Sequence, residues 1–216
     1  LPGRVRVGRD TVSFDELISQ DYQARVPLSA TGFYSTPKIN WDKAQAKGRP
    51  FFYFAYGAAV TEVAIDTLTG ENRMLRVDIL HDVGKSLNPA IDLGQIEGGF
   101  IQGAGWLTTE ELWWDDEGHL RTYAPSTYKI PTLGDRPPDM RINIWAPGEN
   151  VEQTIHRSKA VGEPPLMLGI SALMALSDAV AAAGDYAHYP QLNAPATPER
   201  VLAAVRGVSA KRDAAG

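Results

Sequence analysis

"FFYFAYGAAVTEVAIDTLTGENRMLRVDILHDV", residues 51–83, sets two runs of β-branched and aromatic residues on either side of "LTGEN". A polar turn containing glycine between two such runs predicts a long antiparallel hairpin. The next stretch changes character. In "SLNPAIDLGQIEGGFIQGAGWLTTEELWW" (86–114), Asn88 is a good N-cap and Pro89 a good first helical residue. "WDDEGHLRTY" marks a turn with "DEG" as its solvated tip, and "MRINIWAP" reads as a strand. "PLMLGISALMALSDAVAAAG" (165–184) reads as a helix ending at Gly184. Its apolar residues Leu166, Leu168, Ile170, Leu173, Met174, Leu176 and Val180 cover most of the circumference, which predicts burial on nearly all sides. "YAHYPQLNAPATPERVLAAVRG" gives an extended segment and a last short helix, capped by Thr197 with Pro198 at its first position. Strands and helices mix without a regular βαβ rhythm, so the expected class is α+β.

On the N-terminal side, "TVSFDELISQDYQ" holds a capping box, Ser13 with Glu16, and predicts a short helix bearing Phe14, Leu17 and Ile18. "VPLSATGFYST" alternates, and "KINWDKAQAKGRP" reads as a loop or insertion. Residues 1–50 are therefore expected as a peripheral segment and 51–216 as the main body. The chain begins at Leu1 with a strand-like "GRVRVG", which points to a piece of a longer polypeptide.

Composition narrows the function. The 216 residues are 44% hydrophobic and 22% charged, with a formal net charge of -5 and no basic block, so no nucleic-acid partner is expected. No apolar run reaches the ~18 residues of a bilayer span, and no membrane partner is expected. With no cysteine, disulfides and thiolate-held metals or clusters are excluded from this chain, and a cytoplasmic location is the matching expectation. His81, His119, His156 and His188 show no ligand spacing, so no metal-ligating residue is assigned.

Two features stand out chemically. The helix after Pro89 carries Gly94, Gly98, Gly99, Gly103 and Gly105, which at ~1 kcal/mol each relative to alanine oppose helix formation by roughly 5 kcal/mol. Ile96, Phe100, Ala104 and Leu107 follow helical intervals as a core stripe. Gln95, Gly98, Gly99 and Gln102 follow them on another side, two amides separated by bare backbone. Either a flat polar ligand lies there, or the glycines admit a neighbouring backbone. The second feature is "SKAVGEPPL" (158–166). Pro164 and Pro165 lock the chain after Glu163 and disfavour helical dihedrals at Glu163 itself. A carboxylate held rigidly in a partly dry site, beside Val161 and Leu166, suits a general base. The alternatives are a helix cap or a partner for Lys159.

"DVGKSLNPAIDLGQIEGGFIQGAGWLTTEEL", "PSTYKIP", "SKAVGEPPL" and "NAPATPERV" resemble, in that order, the C-terminal part of the molybdenum-binding subunit in the xanthine dehydrogenase/aldehyde oxidase family of molybdenum hydroxylases. The resemblance runs from about "LSATGFY" to "PATPERV" and favours the functional reading of both features. It implies that Glu163 is the catalytic base, deprotonating a molybdenum-bound hydroxyl that attacks an electron-poor carbon, with hydride passing to a sulfido ligand. It implies that Gln95 lies against a pyranopterin (molybdopterin) cofactor. Gly98, Gly99 and Gln102 share the proposed face, and the resemblance carries no role onto Gln102. It further implies iron–sulfur clusters and FAD on a partner domain or subunit, not on this chain. The remainder of the molybdenum subunit is the other implied partner, and the intact enzyme is implied to be an oligomer.

The expected reaction is oxidation of hypoxanthine and xanthine to urate in purine catabolism, with water-derived oxygen and electrons passing to NAD. An aldehyde or other N-heterocycle hydroxylase of the same family is the alternative, and a non-catalytic interaction domain is an alternative of another class. The family's upstream glycine-rich segments and purine-clamping residues have no counterpart here, so the chain alone is expected to be inactive.

Overall fold

Local hydrogen bonding explains most of the elements. The computed structural model describes residues 3–215, in two units, residues 1–52 and 53–216. In the first unit β1 (Arg4–Val7) pairs antiparallel with β2 (Asp10–Ser13). Helix α1 (Phe14–Gln23) comes next, and the Ser13 hydroxyl accepts the Glu16 amide at 3.1 Å, as the capping signal predicts. The stretch 38–50, read as a loop, contains a small hairpin of β3 (Asn40–Asp42) and β4 (Lys47–Arg49). Its turn is built by Asp42, whose Oδ1 accepts the amides of Ala44 and Gln45, a side-chain turn that composition alone conceals. The alternating stretch 26–36 forms no strand. Among the described residues of this unit only Phe52 is buried.

The second unit is built on the predicted hairpin. Strand β5 (Gly57–Ile65) pairs antiparallel with β6 (Asn72–His81), from Gly57↔His81 to Ile65↔Asn72, with a bulge at Glu62/Val63. Residues 51–56 precede the strand rather than join it. Asp66 Oδ1 accepts the amides of Leu68 and Thr69 and turns the chain between them. Helix α2 (Pro89–Thr108) starts where Asn88 Oδ1 accepts the Ile91 amide. Strand β7 (Asp139–Ile144) then adds parallel to β6, which becomes the central strand. Helices α3 (Ile170–Ala183) and α4 (Pro198–Ala215) complete this unit. The class is α+β.

Two apolar clusters hold it. Val77, Ile79 and Val83 meet Ile96, Phe100 and Ala104 of α2 and Ala172 of α3, all essentially inaccessible. Leu176 and Val180 of α3 pack with Ala196 and with Val201, Ala204, Val205 and Val208 of α4. Fully burying a Val, Leu, Ile or Phe side chain contributes ~1.5–3 kcal/mol, so the larger members of these clusters fix the helices on the sheet.

Three expectations are corrected. The stretch 164–183 is not one regular helix, because a 3-10 segment (Pro164–Gly169) precedes α3. It is also not buried all round: Met167, Ile170 and Met174 are 57%, 41% and 55% exposed. At 20 residues it is apolar enough, by length and composition, to cross a bilayer, yet Ala172, Leu176 and Val180 bind it into both clusters as a core helix. Finally, α4 is long rather than short. It runs through Gly207, because the gain from burying Val208 beyond it outweighs the ~1 kcal/mol of one helical glycine.

Candidate functional site

The 3-10 segment crosses α2 backbone to backbone, and glycines make that possible. A Cβ at Gly103 would lie 2.0 Å from the Leu166 carbonyl oxygen, and one at Gly169 would lie 2.5 Å from the Ala104 nitrogen. A Cβ at Gly99 would meet Pro165 Cβ at 3.0 Å and the Gly162 oxygen at 3.3 Å. Gly105 is covered in the same way by Pro131, at the end of the "PSTYKIP" loop. That loop is pinned where the Tyr128 hydroxyl donates to Glu110 and the Thr109 hydroxyl donates to the Lys129 carbonyl. At Gly99 and Gly103 the missing side chain thus admits a neighbouring backbone.

Gly94 and Gly98 behave differently. Nothing lies within 4 Å of a Cβ placed at either one. Gly94, Gly98 and Gln102 recur at intervals of four on an exposed line of α2, with Gln95 exposed beside them. The face expected from spacing is therefore divided: Gly99 is buried under Pro165, while Gln95, Gly98 and Gln102 stay open. Gln95 also reaches the other candidate segment, since its Oε1 lies 3.2 Å from the Cβ position of Gly162. Gln95 and the chain entering Glu163 meet at one end of this open strip.

Glu163 itself has φ -93° and ψ -40°, helical dihedrals in spite of the following proline. The backbone explains the departure: the Glu163 carbonyl accepts the Leu166 amide at 3.1 Å and opens the 3-10 segment. Its side chain makes no capping hydrogen bond. Lys159, the neighbour in sequence that could have been its partner, donates to Asp82 at 2.6 Å instead. Among the described residues none pairs with the Glu163 carboxylate. The residue is exposed, so Val161 and Leu166 do not supply the dry surroundings expected from the sequence.

Other ionisable groups lie off this strip. Asp115, Glu117 and His119 converge at the exposed hairpin tip, where Asp115 is already engaged by the amides of His119 and Glu117 and by Arg121. The amide of His119, first among these contacts, holds the Asp115 carboxyl below its ordinary value. His81 is buried with neither ring nitrogen hydrogen-bonded, and desolvation lowers its pKa. Sequence reasoning missed Gly94 as part of the open line and Asp82 as the partner of Lys159. The first was legible in its four-residue spacing, whereas the second joins positions 77 residues apart.

The family model of the molybdopterin cofactor-binding domain matches residues 1–137. The xanthine dehydrogenase of Oryza sativa subsp. japonica is 49% identical over 211 residues, covering 92% of this chain and 15% of that protein. The xanthine dehydrogenase/oxidase of Felis catus is 49% identical over 197 residues, 88% of this chain and 15% of that protein. The chain thus spans about 15% of the length of the curated relatives it matches. Among solved structures, quinoline 2-oxidoreductase from Pseudomonas putida 86 superposes with a TM-score of 0.64 at 27% identity, over 94% of this chain and 25% of that one. Aldehyde oxidoreductase from Desulfovibrio gigas gives 0.61 at 26% identity, over 90% and 20%.

Proposed function

The chain belongs to the molybdopterin cofactor-binding domain family, and from that premise we propose that it forms one wall of the active site of a molybdenum hydroxylase acting on xanthine and hypoxanthine. The open strip of α2 fits a flat polar cofactor. Gly94 and Gly98 leave bare backbone where a side chain would stand, and the amides of Gln95 and Gln102 offer both donors and acceptors at its border. When bound, the molybdenum–pyranopterin group supplies the two-electron oxidant for hydroxylation with water-derived oxygen.

The role of this chain's residues comes from their placement. Gln95 and Gln102 orient the cofactor, and a Glu163 carboxylate oxygen takes the proton from the water-derived hydroxyl as it attacks the electron-poor carbon. One observation carries the assignment. Among the described residues Glu163 neither caps the helix nor pairs with a cation, yet the Gly162 that precedes it lies beside Gln95. In the proposed oligomeric, cytoplasmic enzyme, the bound cofactor and the remainder of the molybdenum subunit would cover Glu163 from water, and iron–sulfur and FAD domains outside this chain would supply the route for electrons to NAD. The higher identity to xanthine dehydrogenases than to the quinoline and aldehyde enzymes favours a purine over those substrates.

The test is Glu163→Gln in the intact enzyme. Loss of a general base lowers turnover by about 10²–10⁴-fold, with molybdenum content unchanged. Xanthine turnover near the wild-type rate would place the base elsewhere.

A further inference from the structure

The chain entering Glu163 is anchored with unusual thoroughness. His156 and Arg157 both adopt left-handed dihedrals, with φ 51° and 57°, which non-glycine residues hold only when their surroundings impose it. Asn150, fully buried, donates to Thr154 Oγ1 and to the Ser158 carbonyl. The next residues run along the connection between β6 and α2. The Lys159 amide donates to the Val83 carbonyl at 2.8 Å, and the Lys85 amide donates to the Arg157 carbonyl at 3.0 Å. Gly84, at φ 63°, permits this approach, since a Cβ there would lie 2.5 Å from the Arg157 oxygen. The Ala160 amide donates to the Tyr53 hydroxyl.

At the centre of these contacts is an ion pair. Lys159 Nζ donates to Asp82 Oδ2 at 2.6 Å, with the side chains 6% and 17% exposed. Asp82 Oδ1 accepts the Gly84 amide at 2.8 Å, and the ammonium lies 5.1 Å from the centre of the Tyr56 ring. A buried pair of this kind adds little net stability over apolar residues of equal volume, because desolvating both charges offsets their attraction. What it supplies is register, since Lys159 reaches the Asp82 carboxylate only when the two segments lie in this alignment. Here the register fixed is that of residues 157–163 against the connection leading into α2, the helix that carries Gln95.

We propose that Lys159 and Asp82 are positioning residues that set Glu163 relative to the cofactor-facing strip of α2. The proposal rests on Glu163 being the base. Removing only one partner strands a buried charge and endangers folding, so the informative variant is the double substitution Asp82→Asn/Lys159→Met in the intact enzyme, which removes both charges at nearly constant volume. The expected result is a kcat lower on the order of 10²-fold, the effect of a misplacement near 1 Å. KM should stay within about threefold, with molybdenum content unchanged. In cofactor-free enzyme, amide hydrogen exchange should rise about tenfold or more in residues 157–163 while the core of α2 keeps its protection. A wild-type kcat in the double variant overturns the proposal, whatever the exchange shows. The parallel Glu163→Gln measurement separates the two failures. If that variant is inactive and the double variant is not, the clamp is wrong and the base stands; if Glu163→Gln is itself active, the base assignment has failed.

Discussion

Replacing Gly98 and Gly103 by alanine, one at a time, sets the same methyl group on the same helix with opposite consequences. In both variants helix propensity gains about 1 kcal/mol. At Gly98 nothing lies within 4 Å of the new Cβ, so that gain stands alone. At Gly103 the Cβ would lie 2.0 Å from the Leu166 oxygen and 3.0 Å from the Leu166 carbon, against ~3.5 Å for an ordinary contact. The atoms struck are main chain and cannot rotate aside, so the 3-10 segment must shift, an overpacking cost of ~1–3 kcal/mol at its upper end. Because the propensity gain is common to both, the gap between the variants is the clash itself. At ~2–4 °C per kcal/mol for a domain of this size, Gly98→Ala should melt a few degrees above wild type in cofactor-free protein, and Gly103→Ala several degrees below Gly98→Ala. The same Gly98 methyl stands on the strip where the cofactor is proposed to lie, so Gly98→Ala should also reduce molybdenum content. Equal melting temperatures for the two variants would refute the packing argument. A fully loaded Gly98→Ala enzyme would refute the ligand strip.

Two other predictions concern buried polar groups. Desolvation holds the His81 imidazole below its usual 6.5, with Asp82 opposing and Lys159 reinforcing the shift. Below pH 6.5 the unfolded chain therefore takes up a proton that the folded chain refuses, and stability falls with pH from there down to the folded-state pKa. His81→Leu should flatten that acid limb in a melting-temperature series, and an unchanged slope would contradict the assignment. Asn150→Ala removes two donated bonds and the acceptor for the Glu152 amide. It should lower the denaturation free energy by about 1–3 kcal/mol, and a loss under a few tenths would show that the 150–158 loop does not depend on it.

Elements with local causes were legible in the sequence. The hairpin arises from two β-prone runs and a turn, and α2 from Asn88 and Pro89. Where tertiary contacts decide, the sequence was silent. The parallel seat of β7 on β6 joins Arg76 to Asp139 and has no local signature. The end of α4 depends on what lies across from Val208, and Gly184 of the preceding helix cap packs against it. Helical spacing marked most of α3 as apolar but could not tell which of those side chains this chain covers. At the candidate site, residue type and spacing singled out Gln95, Gly98, Gln102 and Glu163, and the family resemblance gave Gln95 and Glu163 their proposed roles. The course of residues 164–169, which buries Gly99 beneath Pro165, was not legible. Lys159 drew notice as a neighbour of Glu163, whereas its ion pair runs to Asp82, across the connection into α2.

The glycines of α2 bear most directly on what the strip is for. Gly99, Gly103 and Gly105 each have a neighbour that a side chain would strike, and their cost to the helix is offset by close packing. Gly94 and Gly98 have none, so within this chain alanine would serve the helix better at both positions by about 1 kcal/mol apiece. A local rule broken without compensation inside the fold is expected where the compensation comes from function. The cofactor proposed to cover them would need to be thin enough to rest on bare main chain and polar enough to engage Gln95 and Gln102. It must also lie at the end of the helix where Gly162 brings Glu163 alongside. A flat, heteroatom-rich ring meets all three conditions, whereas a packed apolar side chain would leave the two amides without partners.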